Sequence, residues 1–113
     1  MKESELLRLV MDWLAAKQIM AFRMNSGAVK MDKRFVRFGV PGMADVLSFP
    51  RESLIASGTT YAMFHRINPT WIELKVGKNG QSDLQKSFQK QVEREGHKYI
   101  LCYSLECLEA HFL

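Results

Sequence analysis

The sequence predicts a single α/β domain built on a mixed central sheet flanked by helices, and three observations carry this. Apolar residues recur at helical spacing near both ends of the chain, whereas the middle holds short alternating runs bounded by Gly, Pro and Asn. The run Thr70-Trp71-Ile72-Glu73-Leu74-Lys75-Val76 alternates strictly enough to be a strand with one buried face. At 113 residues, 47% hydrophobic and 25% charged, the chain is long enough to bury one modest core.

The elements follow in order. Leu6, Val10, Trp13 and Leu14 share a helical face opposite Arg8, Asp12 and Lys17, with Ser4 as the expected N-cap and Glu5 in the first turn. Ile19 to Met24 reads as a strand ending at the turn-prone Asn25-Ser26-Gly27. Met31 to Phe38 is basic with alternating apolar residues and is either an irregular strand or an exposed loop. Val40-Pro41-Gly42-Met43 is a turn and Ala44 to Phe49 a short strand. Pro50 to Gly58 reads as a loop, Thr59 to Phe64 as a pairing strand, and Asn68-Pro69 as a turn. After Gly77-Lys78-Asn79-Gly80 a helix begins near Ser82, buries Leu84, Phe88 and Val92, and stops at Gly96. Tyr99 to Ser104 is a further strand, and Leu105 to Phe112 a closing helix.

Composition narrows the function classes. Nothing is apolar over enough length to span a membrane, and Met1 to Glu5 lacks the features of a secretory leader. A cytoplasmic setting is expected. Cys102 and Cys107 have neither CxxC spacing nor histidines at zinc-ligand spacing, so they read as structural thiols. No signature of an organic cofactor is present, and the segment 77–80 lacks the order of a phosphate-binding loop. A net charge of +4 suits a polyanionic partner without requiring one.

The residues with chemical promise are few. Glu73 and Lys75, two apart on a strand, project from one face, while Ile72, Leu74 and Val76 project from the other. Alone this is an ordinary ion pair. Asp45 follows the tight Pro41-Gly42 turn at the mouth of a strand, and by itself reads equally as a turn cap. Together, two carboxylates and a lysine are the minimum set for phosphodiester hydrolysis: the carboxylates hold a hard divalent cation and the lysine orients water or offsets developing charge.

In order along the chain, an early helical Glu, Arg23-Met24-Asn25-Ser26-Gly27, Val40-Pro41-Gly42-Met43-Ala44-Asp45, Ile72-Glu73-Leu74-Lys75 and Ser82-Asp83-Leu84-Gln85-Lys86-Ser87-Phe88 resemble the VRR-NUC branch of the PD-(D/E)xK nucleases. The resemblance implies a restriction-endonuclease-like fold and a Mg²⁺- or Mn²⁺-dependent DNA endonuclease. It implies metal ligation by Asp45, Glu73 and the Leu74 carbonyl, with Lys75 catalytic. It also carries over Glu5, a helical Glu leaning over the metal, with Glu3 close enough to compete for that role. Gln85 is carried over as a helix residue facing the site; Ser82-x-x-Gln85 is equally a capping box, and one rotamer is not expected to serve both.

Lys30, Lys33, Arg34 and Arg37, interleaved with Phe35 and Phe38, form the expected DNA-contacting segment, and Lys78, Lys86 and Lys90 continue it. The alternative is a solvated basic strand with both Phe rings buried. No sequence-reading module is visible, which favours recognition of nucleic-acid shape. Compact stand-alone members of the resembled family resemble Holliday-junction resolvases, which act as two-fold dimers, so a homodimeric junction endonuclease in a bacterial or phage-infected cell is expected. The alternatives are a flap, nick or single-strand nuclease of the same chemistry, and a non-catalytic branched-DNA-binding module.

Overall fold

A computed structural model describes the chain apart from residues 25–26, 32–33, 39, 56–62 and 113; of residues 27–31, 34–38, 52–55 and 63–66 it describes the backbone alone. Three helices, α1 (Glu3–Ala16), α2 (Asp83–Arg94) and α3 (Leu105–Phe112), surround a four-stranded sheet. The sheet comprises β1 (Met20–Arg23), β4 (Val46–Phe49), β7 (Thr70–Leu74) and β8 (Lys98–Cys102), in the order β1-β4-β7-β8. Its first two pairings are antiparallel and β7-β8 is parallel, so the sheet is mixed. The parallel step needs a crossover, which α2 supplies. Among the described residues no helix is long and apolar enough to cross a membrane.

Two further hairpins stand outside this sheet, β2 (Gly27–Met31) with β3 (Arg34–Phe38), and β5 (Arg51–Ile55) with β6 (Met63–Ile67). Met31 and Arg34–Phe38 therefore belong to a strand pair. The expected loop over 50–58 is corrected in its first half: Arg51–Ile55 pairs with Met63–Ile67. That pairing resumes the register of β4-β7, with Ser48↔Thr70 on one side and Arg51↔Ile67 on the other. Pro50 and Pro69 lie in the interruption. Neither can donate a ladder hydrogen bond, so the composition there looks like a loop although the register continues past it.

Each face of the sheet has its own core. Leu6, Val10 and Leu14 of α1 pack with Leu108 of α3 onto Val46, Ile72, Leu74, Ile100 and Cys102, all essentially solvent-free. Burial pushes the Cys102 thiol up to about 11, which keeps it protonated and unreactive. On the opposite face Phe88 and Val92 of α2 meet Ala44, Met43, Trp71 and Tyr99, with Trp71 and Phe88 edge to face at 4.9 Å. Leu84 is not part of that face. It is 58% exposed, and Phe88 and Val92 alone are the buried residues of α2. The N-cap of α1 is also corrected: Lys2 occupies it without a side-chain cap, and Ser4 is already inside the helix.

One turn fixes how β4 meets α2. Met43 N–H donates to the Val40 carbonyl at 2.9 Å, and Gly42 has φ +81°, a type II arrangement with Pro41 before it. A Cβ on Gly42 would lie 2.3 Å from the Leu84 carbonyl oxygen and 2.8 Å from the Gln85 amide nitrogen. Both the dihedral and the contact with α2 backbone require glycine. Gly42→Ala is expected to cost roughly 2–4 kcal/mol in urea unfolding; a loss under about 1 kcal/mol would mean the turn and helix part easily.

Candidate metal centre

The ladder register builds the site. Val46 opposes Ile72, so one step further along the same register sets Asp45 opposite Glu73. On its other side Asp45 is held by Met24, whose N–H donates to the Asp45 carbonyl at 2.7 Å. The Leu74 N–H donates to Asp45 Oδ2 at 2.8 Å, which fixes the carboxylate toward β7. Directly opposed side chains in an antiparallel pair stand about 5 Å apart, and like charges there repel.

Glu73 is only 3% exposed. Its Oε1 accepts a hydrogen bond from Gln85 Nε2 at 2.6 Å and lies 4.0 Å from Lys75 Nζ. Its Oε2 is buried with no hydrogen-bond partner. Burial, then the neighbouring charge of Asp45, push the Glu73 carboxyl up to about 8, against the opposing pull of Lys75; Glu3 and a hydrogen bond with Asp45 add to the rise. Burial and the Asp45 charge thus favour the protonated form of the Glu73 carboxyl in the metal-free protein.

An orphaned carboxylate oxygen beside a second carboxylate is a cation's donor set. Among the described residues no three His, Cys, Asp or Glu gather as a metal-binding group. Mg²⁺ does not need three: it keeps several waters and is commonly held by one or two carboxylates. Asp45 and Glu73 fit that pattern. The Leu74 contact seen here runs through its amide, with the residue lining a small cleft of about 130 Å³ beside Asp45.

The structure brings together Asp45, Glu73, Leu74, Lys75 and Gln85. Gln85 corrects the expectation that capping and site duties exclude each other. Its Oε1 accepts from the Ser82 N–H at 2.9 Å while its Nε2 reaches Glu73, and its own N–H donates to Ser82 Oγ at 3.2 Å. The two ends of one amide do both tasks. Glu5 is not at the site. The cleft is lined by Glu3, Ser4 and Leu7 with Arg23 and Met24, and Glu5, two residues on from Glu3, is turned away and exposed. Of the two competing helical glutamates it is Glu3 that lines the cleft, and Arg23 is a further neighbour to which the sequence assigns no role. The Glu3–Leu7 spacing, four residues along the sheet-facing side of α1, was the available signal for Glu3.

Of the expected DNA-contacting segment, Lys33 lies outside the described residues, and the side chains of Lys30, Arg34 and Arg37 likewise; their backbones lie in β2 and β3. Lys78 is exposed in the turn after β7, and Lys86 and Lys90 are exposed one turn apart on α2. No protein-family model, curated protein or solved structure matches the chain.

The raised Glu73 carboxyl couples folding stability to pH. Glu73 rises from its ordinary 4.5 to about 8 on folding, so the native state keeps a proton that the unfolded chain releases between those values. The associated stability is fully present below pH 4.5 and is lost as pH rises through about 8. In EDTA, Glu73→Gln should match wild type near pH 4.5 and exceed it by roughly 2–4 kcal/mol above pH 8, measured by urea unfolding across that range. A pH-independent difference would show that Glu73 is not protonated in the fold.

Proposed function

We propose that this protein is a Mg²⁺- or Mn²⁺-dependent endonuclease that hydrolyses phosphodiester bonds in branched DNA. The observation that carries the reading is the opposition of Asp45 and Glu73 at one end of the sheet, with a buried, unpartnered Glu73 oxygen and Lys75 beside it. The order of motifs resembling VRR-NUC nucleases places its two carboxylates and lysine at these same three residues. A mixed sheet with the carboxylates at one end, and α2 between the last two strands, accords with a restriction-endonuclease-like fold.

Asp45 and Glu73 would hold the cation, with the Leu74 carbonyl as a third donor by resemblance. When bound, the cation supplies charge neutralisation at the scissile phosphate and polarises it. Gln85 orients Glu73 by its hydrogen bond, and the Leu74 amide orients Asp45. Lys75, tethered beside Glu73 and largely buried, offers an ammonium to the attacking water or to the charge that gathers on the phosphate as the P–O bond breaks. Hydrolysis places water's oxygen on phosphorus and its proton on the departing alkoxide.

Substrate and assembly follow from the resemblance to compact junction-resolving nucleases: four-way junctions cut by a two-fold homodimer in the cytoplasm of a bacterial or phage-infected cell. Two sites related by two-fold symmetry suit paired, symmetric cuts.

The test is cleavage of labelled four-way junction, flap, linear duplex and single-stranded DNA with Mg²⁺, Mn²⁺ or EDTA. Junction cutting that needs metal is expected, with losses of about a hundredfold or more in Asp45→Ala, Glu73→Ala and Lys75→Ala. Gln85→Ala should lose about 10–100-fold. Ser82→Ala, which removes only the cap hydroxyl, should cost about 1 kcal/mol of stability and little rate. Folded protein that cuts none of these substrates with either metal would refute the enzymatic reading.

A further inference from the structure

The cleft beside Asp45 is lined by a cation as well as by acids: Arg23 shares it with Glu3, Ser4 and Asp45. Arg23 ends β1, the outer strand of the sheet, where the ladder sets it opposite Val46 and the next residue, Met24, donates its N–H to the Asp45 carbonyl. Backbone pairing therefore fixes its place beside the carboxylate. The other cation of the site, Lys75, follows β7 and lies 4.0 Å from Glu73. One cation thus comes from β1 and one from the end of β7, with Asp45 at the mouth of β4 between these strands.

The two cations differ in what they are free to do. Lys75 is largely buried and already paired with Glu73. Arg23 is exposed, and among the described residues it makes no ion pair or side-chain hydrogen bond, although Glu3 and Asp45 line the same cleft. Asp45 Oδ2 turns instead toward the Leu74 amide on β7. A guanidinium carries five N–H donors in a planar fork that matches a carboxylate or a phosphate, and this fork stands open to solvent.

Charge indicates which anion it receives. The carboxylates of Glu3 and Asp45 both act on Glu73, and the three face only Lys75 and Arg23. With every carboxyl ionised the metal-free site is negative by one charge and repels phosphate; a divalent cation makes it positive by one. Without Arg23 the loaded site would be neutral. Arg23 is thus the residue that lets the site attract phosphate once the metal is in place.

We propose that Arg23 is the phosphate clamp of this centre, its guanidinium gripping the non-bridging oxygens of the scissile phosphate from the β1 side while Lys75 acts from the end of β7. The clamp rests on the nuclease reading and adds to it the group that recognises the substrate's charge.

The experiment compares Arg23→Ala and Arg23→Lys with wild type on the DNA that wild type cuts, a four-way junction by expectation. In single-turnover cleavage with Mg²⁺, Arg23→Ala should lose about a hundredfold and Arg23→Lys about tenfold, since lysine keeps the charge but not the fork. Affinity is read by anisotropy with Mg²⁺ in the Lys75→Ala background, which keeps both carboxylates. There Arg23→Ala should weaken binding about tenfold and lower the salt slope by about one phosphate contact, while Arg23→Lys keeps the slope. An uncharged methylphosphonate at the mapped cut position should erase the difference between Arg23 and Arg23→Ala. Melting and Mn²⁺ affinity without DNA should not fall, because the clamp is not a metal ligand. Unchanged cleavage in Arg23→Ala, a fall in its Mn²⁺ affinity or melting, or a difference that survives the methylphosphonate would each overturn the clamp while leaving the nuclease reading in place. Absence of cleavage by wild type on every substrate and with either metal would overturn both.

Discussion

The register between β4 and β7 forces two carboxylates to face each other at the end of a sheet where water has little access. Isolated, that arrangement is unfavourable: like charges oppose across a ladder and one oxygen of Glu73 has no partner. The fold keeps it because strong constraints hold each side. Asp45 is pinned by the Leu74 and Met24 amides, and Glu73 by Gln85 and Lys75. The remaining imbalance favours the protonated form of Glu73 in the metal-free protein, and in the proposed enzyme a divalent cation takes that proton's place.

The start of α2 ties this site to the rest of the molecule. Gly42 lets the turn before Asp45 press against the Leu84–Gln85 peptide, the capping box fixes the first turn, and the free end of the same Gln85 amide holds Glu73. A single helix terminus thus positions both carboxylates, Asp45 through the turn and Glu73 through a hydrogen bond. Further along the helix, Phe88 and Val92 anchor it on Trp71 and Tyr99. Side chains locked by packing and by outer hydrogen bonds are what a site of this kind requires.

Much of this was legible in the sequence, and what was not has identifiable causes. The common face of Glu73 and Lys75 follows from strand alternation, which needs only local information. The role of Asp45 could be suspected from its place after Pro41-Gly42, but its opposition to Glu73 depends on a register that no local pattern encodes. The resemblance points to Glu5, but Glu3 shares the first turn and only the docking of α1 on the sheet separates them. Leu84 fits the apolar periodicity of α2 yet is exposed in its first turn, since periodicity does not say where along the helix packing begins. Arg51–Ile55 was hidden by Pro50, which breaks the ladder without shifting it. Gln85 serves both the cap and Glu73 in one rotamer because its side-chain amide carries an acceptor and a donor on separate atoms, a geometry that spacing alone does not encode.

In the proposed metal centre a divalent cation held by Asp45 and Glu73 takes the place of the proton that the raised Glu73 carboxyl favours. Calorimetric titration of Mn²⁺ at pH 7, in buffers of different ionisation enthalpy, tests this directly. About one ion per chain is expected, binding with release of about one proton and abolished in Asp45→Asn. Absence of binding at millimolar Mn²⁺, or binding that releases no proton and survives Asp45→Asn, would contradict it.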